Sequence, residues 1–248
     1  MKNKNKLALE LLLILFLLFC CSNEQEQNVG KLKVGVDFWI GDTTEITGID
    51  ISHHQGEIDW SEVKKQGVSF VFVKATEGID YLDTMFAKYW AELEKENIIR
   101  GAYHFYSSDD DPLEQAKWFV GKIKNFEDIL PPVLDVERKG HKNITKESFE
   151  KSVLKCLEEI ERLSGKKPII YSSPKFANSY LFDKRFDKYF LWVAEYGVEE
   201  PVIPDVWRTA GWHFWQNTSS DKIPGINTAV DHSKFSKKIE HLIKLVRD

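Results

Sequence analysis

From Thr47 onward, short apolar runs rich in β-branched and aromatic residues alternate with stretches whose apolar positions recur every three to four residues. That rhythm predicts strands at Gly48–Ser52, Ser69–Lys74, Ile99–Phe105, Pro132–Glu137, Pro168–Ser172, Phe190–Ala194 and Trp212–Gln216, with a short piece around Val230. Helix punctuation falls between them. Asp59, Asp83 and Asp111 stand where N-caps belong, the last followed by Pro112 at the first helical position. Thr145 opens a long helix to about Leu163, and Gly67 and Gly165 sit at helix ends. Strand–helix alternation through the first five units implies parallel strands joined by right-handed crossovers. The later strands lack convincing helices until a final one near Ser236–Arg247. A single α/β barrel over residues 46–248, regular in its first half and irregular in its second, fits this pattern. A flat doubly wound sheet is the alternative.

The segment before the barrel follows a different pattern. Lysines at positions 2, 4 and 6 precede an apolar run from Leu11 to Phe19, too short to span a bilayer comfortably. The run ends in Cys20-Cys21 and gives way to polar Ser22–Asn28. Met1–Cys21 resembles a bacterial lipoprotein signal, with Cys21 as the acylated residue and Cys20 as the alternative. A plain secretory signal or an uncleaved anchor are the other readings. Residues 22–45 read as a tether, with Lys31–Ile40 as a possible peripheral strand. The expected location is therefore outside the cytoplasm, held at a membrane by the lipid.

Composition narrows the partners. The net charge is −5, and removing Lys2, Lys4, Lys6 and Glu10, a net +2, leaves −7. An acidic chain without a basic run argues against nucleic acid. Past the leader only Cys156 remains, so no disulfide forms within the domain, and a monomer without cofactors is expected. No Gly-x-Ser-x-Gly elbow, phosphate loop, dinucleotide fingerprint or paired-cysteine metal motif is present. His53-His54 invites a metal reading, but adjacent residues face opposite ways and no further ligand stands at a sensible spacing. Loop histidines bonded to the rim fit better.

In parallel α/β barrels chemistry gathers at the C-terminal ends of the strands. Here those ends carry Asp50, Lys74, Tyr103, Asp135 with Glu137, Tyr171, Trp192, Trp215-Gln216 and Asp231. Acids, amides and aromatics on one rim suit a carbohydrate cleft. Residues i and i+2 on a strand share a face with Cα atoms ~6.5 Å apart, so Asp135 and Glu137 enter the same cleft. Crowded carboxylates repel, and one keeps its proton while its neighbour stays ionised. Glycoside cleavage needs that division. Glu137, longer and nearer the strand end, is assigned as general acid/base, with Asp135 as the ionised stabiliser. Asp50 and Asp231, adjacent around a closed barrel, would floor the cleft and support the proton on Glu137. Asp135 and Glu137 could instead cap a neighbouring helix or pair with Arg138, and Asp50 and Asp231 could close the barrel by bonding backbone amides. Tyr103, Tyr171, Trp192 and Trp215 could stack on sugar rings or pack the core, and Lys74 could neutralise the rim.

Several segments together resemble family 25 glycoside hydrolases, the Chalaropsis-type lysozymes or N-acetylmuramidases. They are Gly48-Ile49-Asp50-Ile51-Ser52-His53-His54-Gln55-Gly56, Ile58-Asp59-Trp60, Phe70-Val71-Phe72-Val73-Lys74-Ala75-Thr76-Glu77-Gly78 and Gly101-Ala102-Tyr103-His104-Phe105, followed in the family's order by Leu134-Asp135-Val136-Glu137, Leu191-Trp192-Val193-Ala194, Trp215-Gln216 and Val230-Asp231. The resemblance spans about Thr47 to Phe235. It implies an irregular TIM-like barrel of five βα units plus three further strands. It also implies hydrolysis of the β-1,4 bond between N-acetylmuramic acid and N-acetylglucosamine in peptidoglycan, with Glu137 as proton donor and Asp50, Asp135 and Asp231 lining the cleft. Retention is the expected outcome, through a covalent intermediate or through the substrate's own acetamido group oriented by Asp135. The sequence departs from the family at His232-Ser233, Asn217 and Glu195, which bears on substrate contacts and not on the four acids. Cleavage of chitin-like or N-acetylglucosaminyl bonds, or peptidoglycan binding without turnover, are the alternatives.

Overall fold

A computed structural model describes residues 38–41, 45–137 and 144–248. The expected leader with Cys21 lies outside the described residues, as does most of the tether and of the strand expected at Lys31–Ile40. Within the described part of that strand, Trp39 forms a single parallel bridge to Ile98.

Parallel pairing links β1 (Thr47–Ile51), β2 (Val68–Glu77), β4 (Ile99–Phe105), β5 (Val133–Asp135), β6 (Ile169–Ser172), β7 (Phe190–Ala194) and β8 (Phe214–Asp221) in sequence. β9 (Val230–Phe235) then runs antiparallel to both β8 and β1 and closes the ring. A two-residue β3 (Tyr81–Leu82) folds back on the end of β2. The helices α1 (Trp60–Lys65), α2 (Phe86–Lys95), α3 (Pro112–Lys122), α4 (Lys146–Ser164) and α5 (Pro174–Tyr180) follow the first five barrel strands, and α6 (Ile239–Arg247) ends the chain. This is the barrel of five βα units and three further strands, and its closure excludes the flat sheet.

Local chemistry sets the boundaries. Asp59 accepts from the amides of Ser61 and Glu62, Asp111 from those of Leu113 and Glu114, and Thr145 from that of Ser148, so each satisfies donors at a helix start. Gly165 ends α4 in the left-handed region, at φ 72°. Asp83 is a correction. α2 begins only at Phe86 with Met85 as its N-cap; Asp83 Oδ1 accepts from the Met85 amide at 3.0 Å, while Oδ2 binds His53 through its amide at 3.1 Å and its Nδ1 at 2.7 Å. The reason is long-range: the buried carboxylate ties the turn after β1 to the turn before α2. β5 is also shorter than expected, stopping at Asp135.

Strand alternation divides the core into two shells. Ile49, Val71, Leu134, Ile170 and Leu191 face outward and pack against Leu93, Phe119, Phe149 and Leu157 of the helices. Phe70, Phe72, Val133, Ile169, Trp192 and Phe214 face inward, and Leu242 and Val246 of α6 join the same inner cluster. Phe72 stacks on Trp192 with ring centroids 4.5 Å apart and meets Phe214 edge-on at 5.2 Å. Two glycines make room for these rings. A Cβ on Gly48 would lie 2.4 Å from the Phe70 ring and carbonyl oxygen, and one on Gly101 would lie 2.6 Å from Phe72.

Candidate active site

Above the aromatic filling, the same inward-facing rows turn polar. Asp50 lies two residues past Gly48 on β1, with its Cα paired to that of Asp231 on β9. Asp135 lies two past the inward Val133 on β5, while Leu134 and Val136 point to the helices. The main chain around Asp135 is clamped from both sides. Its carbonyl accepts from the Tyr106 amide at 2.9 Å, and the Val136 amide donates to the Tyr171 carbonyl at 2.9 Å. The Ser172 hydroxyl fixes the Val136 carbonyl at 2.7 Å. Glu137 stands two residues beyond the strand end and is exposed.

All four acids line one cavity of about 350 Å³, together with Lys74, Tyr103, Tyr171, Trp192 and Gln216. Two larger depressions lie elsewhere. The one of about 610 Å³ beside Trp60 is acidic, but its carboxylates are already engaged. Glu92 binds the Trp60 indole at 2.8 Å, Glu96 binds Lys64 at 3.3 Å, Glu57 pairs with Lys88 and Asp59 caps α1. The one of about 630 Å³ lies against Trp212 and Trp215 on the outer face of β8 and β9.

The electrostatics separate the four acids. Burial, then Asp231 alongside, pushes the Asp50 carboxyl well above the usual range, against a partial lowering by Gln216, whose Nε2 donates to Asp50 Oδ2 at 2.9 Å. Burial raises Asp231 as well, opposed by its hydrogen bond with Asp50. The two therefore share a proton held on the Asp50 side. Burial, then the Glu137 charge, pushes Asp135 well up, and Lys74 offsets only part of this. This direction runs against the sequence expectation of an ionised Asp135, because desolvation acts on the deeper of the two acids on this strand end. Asp135 Oδ1 is also buried without a hydrogen-bond partner among the described residues. The Lys74 ammonium lines the cavity, forms a salt bridge to Glu77 at 2.8 Å and lies over the Tyr81 and Phe105 rings. Burial, reinforced by the acids, keeps the Tyr103 and Tyr171 hydroxyls neutral.

Two aromatic assignments change. Trp215 is adjacent to Gln216 and must face the other way; it packs in the outer shell, edge-on to Trp212 at 6.0 Å, with its indole donating to the Glu195 carbonyl at 2.8 Å. Trp192 touches the cavity, but its ring is committed to Phe72 and Tyr171 and its N–H to Ser233 at 3.1 Å. It is floor, not a sugar platform. Sequence reasoning missed Tyr196 and Gln55, which also line the cavity, as does His54, expected only as a loop histidine at the rim. Tyr196, two residues past the end of β7, was accessible to the same strand-end survey, which stopped at Trp192. The departures at Asn217 and His232 bond each other at 3.1 Å, and Glu195 braces the Val202 amide at 2.7 Å; none of the three lines the cavity.

The sequence matches the family model "Glycosyl hydrolases family 25" over residues 49–226. The Escherichia coli (strain K12) protein YegX is 36% identical over 203 residues, which cover 79% of this chain and 72% of that protein. Lysozyme M1 of Streptomyces globisporus is 30% identical over 217 residues, covering 84% and 73%. The solved structure of the bacterial lysozyme from Streptomyces coelicolor superposes with a TM-score of 0.77 at 30% identity, covering 83% of this chain and 98% of that one.

Proposed function

The chain belongs to the family 25 glycosyl hydrolases, and on that premise we propose that it hydrolyses the β-1,4 bond between N-acetylmuramic acid and N-acetylglucosamine in bacterial peptidoglycan, with Glu137 as general acid and base. The observation that carries the residue roles is the convergence of four carboxylates on one cavity at the C-terminal rim, one exposed at its lip and one on its floor with an unpartnered oxygen.

Glu137, at the lip, meets the glycosidic oxygen of a chain lying across the cleft. It donates a proton to that oxygen as the bond to the sugar C1 breaks, and the leaving sugar departs with a hydroxyl. Positive charge then builds on C1 and the ring oxygen. Burial favours protonated Asp135 in the empty cavity. Asp135 and Glu137 share one proton, which moves to Glu137 when a sugar is bound and is the proton donated to the leaving oxygen. The ionised Asp135 then attracts the cationic sugar most strongly in the transition state. Asp135 serves either against the sugar carbon directly or by aligning the acetamido group whose oxygen closes on C1. Water attacks C1 in the second half, and its proton returns to Glu137. Asp50, Asp231 and Tyr103 set the charge and shape of the floor.

The test is a digest of defined peptidoglycan by residues 22–248. Mass spectrometry should find muramic acid at the new reducing ends, and Glu137→Gln should slow their release by ~10²–10⁴-fold. Reducing-end N-acetylglucosamine would move the activity to another glycan bond. Binding without turnover, unaffected by the substitution, would reduce the domain to a wall-binding module.

The N-terminal pattern supports attachment to a membrane by a lipid on Cys21, with the barrel acting as a monomer. Among the described residues no helix is long and apolar enough to cross a membrane. Radiolabelled fatty acid should enter the wild-type chain and not Cys21→Ser; label retained in that variant would shift the site to Cys20.

A further inference from the structure

Gln216 sits at the centre of a closed hydrogen-bond chain that the reaction scheme leaves unused. Its Oε1 accepts from the Tyr171 hydroxyl at 2.9 Å and from the Tyr196 hydroxyl. Its Nε2 donates to Asp50 Oδ2 at 2.9 Å, and Asp50 in turn bonds Asp231. The residue is buried, and its amide has a single orientation consistent with two phenolic donors on one side and a carboxylate on the other. Both tyrosines come from the β7 side of β8, away from Asp50: Tyr171 from β6, one strand beyond β7, and Tyr196 from the loop after β7.

We propose that Gln216 is a positioning residue for the acid pair, its amide locked by the Tyr171 and Tyr196 hydroxyls so that it always donates to Asp50 and leaves the Asp231 edge of Asp50 for the shared proton. This replaces substrate contact as its role and rests on the muramidase reading only for its catalytic consequence. The floor of the cavity thereby keeps one negative charge, on a fixed edge, facing the place where positive charge develops. Tyr196 contributes from an exposed loop, so this acid pair is coupled to the rim where a glycan strand would lie.

Other ionisable groups face Asp50 as well. Asp135 and Glu137 approach from the end of β5, Lys74 from β2, and Tyr103 from β4. His54 lines the same cavity from the turn after β1. None of these changes when Gln216 or Tyr196 is replaced, so a shift seen in both variants belongs to the amide.

The direct test follows the Asp50 and Asp231 side-chain carboxyl carbons by NMR through a pH titration of wild type, Gln216→Met and Tyr196→Phe. A donor to an ionised carboxylate favours ionisation, so its loss should raise the Asp50 midpoint by about one pH unit in Gln216→Met. Tyr196→Phe, at a half-exposed position that does not threaten folding, should raise it by less. An unmoved midpoint in either variant overturns the proposal. The acid limb of the pH–rate profile on peptidoglycan should move in the same direction, which a purely structural role for Gln216 would not produce. Absence of turnover in wild type would remove the muramidase reading and leave the carboxyl titration to decide this one.

Discussion

The barrel interior is one set of strands filled in two contrasting ways. Its lower part holds Phe70, Phe72, Phe214 and Trp192 as interlocked rings. Its upper part, one or two residues further along the same rows, holds Asp50, Asp135 and Asp231 around a cavity. Phe72 and Lys74 are neighbours on one face of β2, as are Val133 and Asp135 on β5 and Phe214 and Gln216 on β8. The lower rows gain from burial what the upper rows lose to it, since an apolar ring is favoured out of water and a carboxylate is not. The contrast teaches that the strand ends are kept acidic against their own stability, which selection for folding alone would not maintain.

Substitutions can break either half. Phe72→Ala should cost ~3–5 kcal/mol in urea denaturation, because the cavity it leaves is walled by Trp192 and Phe214 and cannot collapse. A loss below ~1 kcal/mol would mean that the lower layer is not the rigid support described here. Next in size is an acid effect seated away from the cavity. Burial pushes His104, bonded to Thr76 and Gln115, and His213 down to about 4. A histidine whose folded value lies below its unfolded one contributes stability that is present above pH ~6.5 and lost as pH falls towards 4, up to roughly 3 kcal/mol for the buried His104 and less for the half-buried His213. Thermal melts from pH 7 to 4 should show that loss, and His104→Gln should flatten its share of it. Smaller again is overpacking: Gly48→Ala should cost ~1–3 kcal/mol, since the new methyl meets the Phe70 carbonyl as well as its ring. An unchanged melting temperature would show that β1 can shift away from β2 freely.

Much of this was legible from single residues. Period-two alternation placed Asp50 and Asp135 inward, and Asp59, Asp111 and Thr145 marked helix starts because capping is local chemistry. What failed was set by contacts distant in sequence. Asp83 reads as a cap, but it bonds only the Met85 amide ahead of the helix and spends its other oxygen on His53, 30 residues away. The hairpin at β3 rests on a backbone reversal after Glu77 that no strong turn pair announces. Trp215 could have been excluded by parity alone, because Gln216 beside it faces the cavity. The upward shift of the Asp135 carboxyl could not be read from an Asp-x-Glu spacing, which gives the repulsion between the two acids but not which one is desolvated.

The most direct test of the separation between a stabilising lower layer and a chemical upper layer is to measure stability and turnover together in Asp135→Asn. Burial raises the Asp135 carboxyl, so its contribution to stability is full below about pH 3.9 and is lost as pH rises through its folded value. At neutral pH the neutral isostere should therefore melt at or above the wild-type temperature, with the difference shrinking as the pH is lowered. Release of reducing ends from peptidoglycan should meanwhile fall by at least ~100-fold. A variant that loses stability while retaining its turnover would contradict the account, because Asp135 would then be part of the scaffold and the chemistry would lie elsewhere.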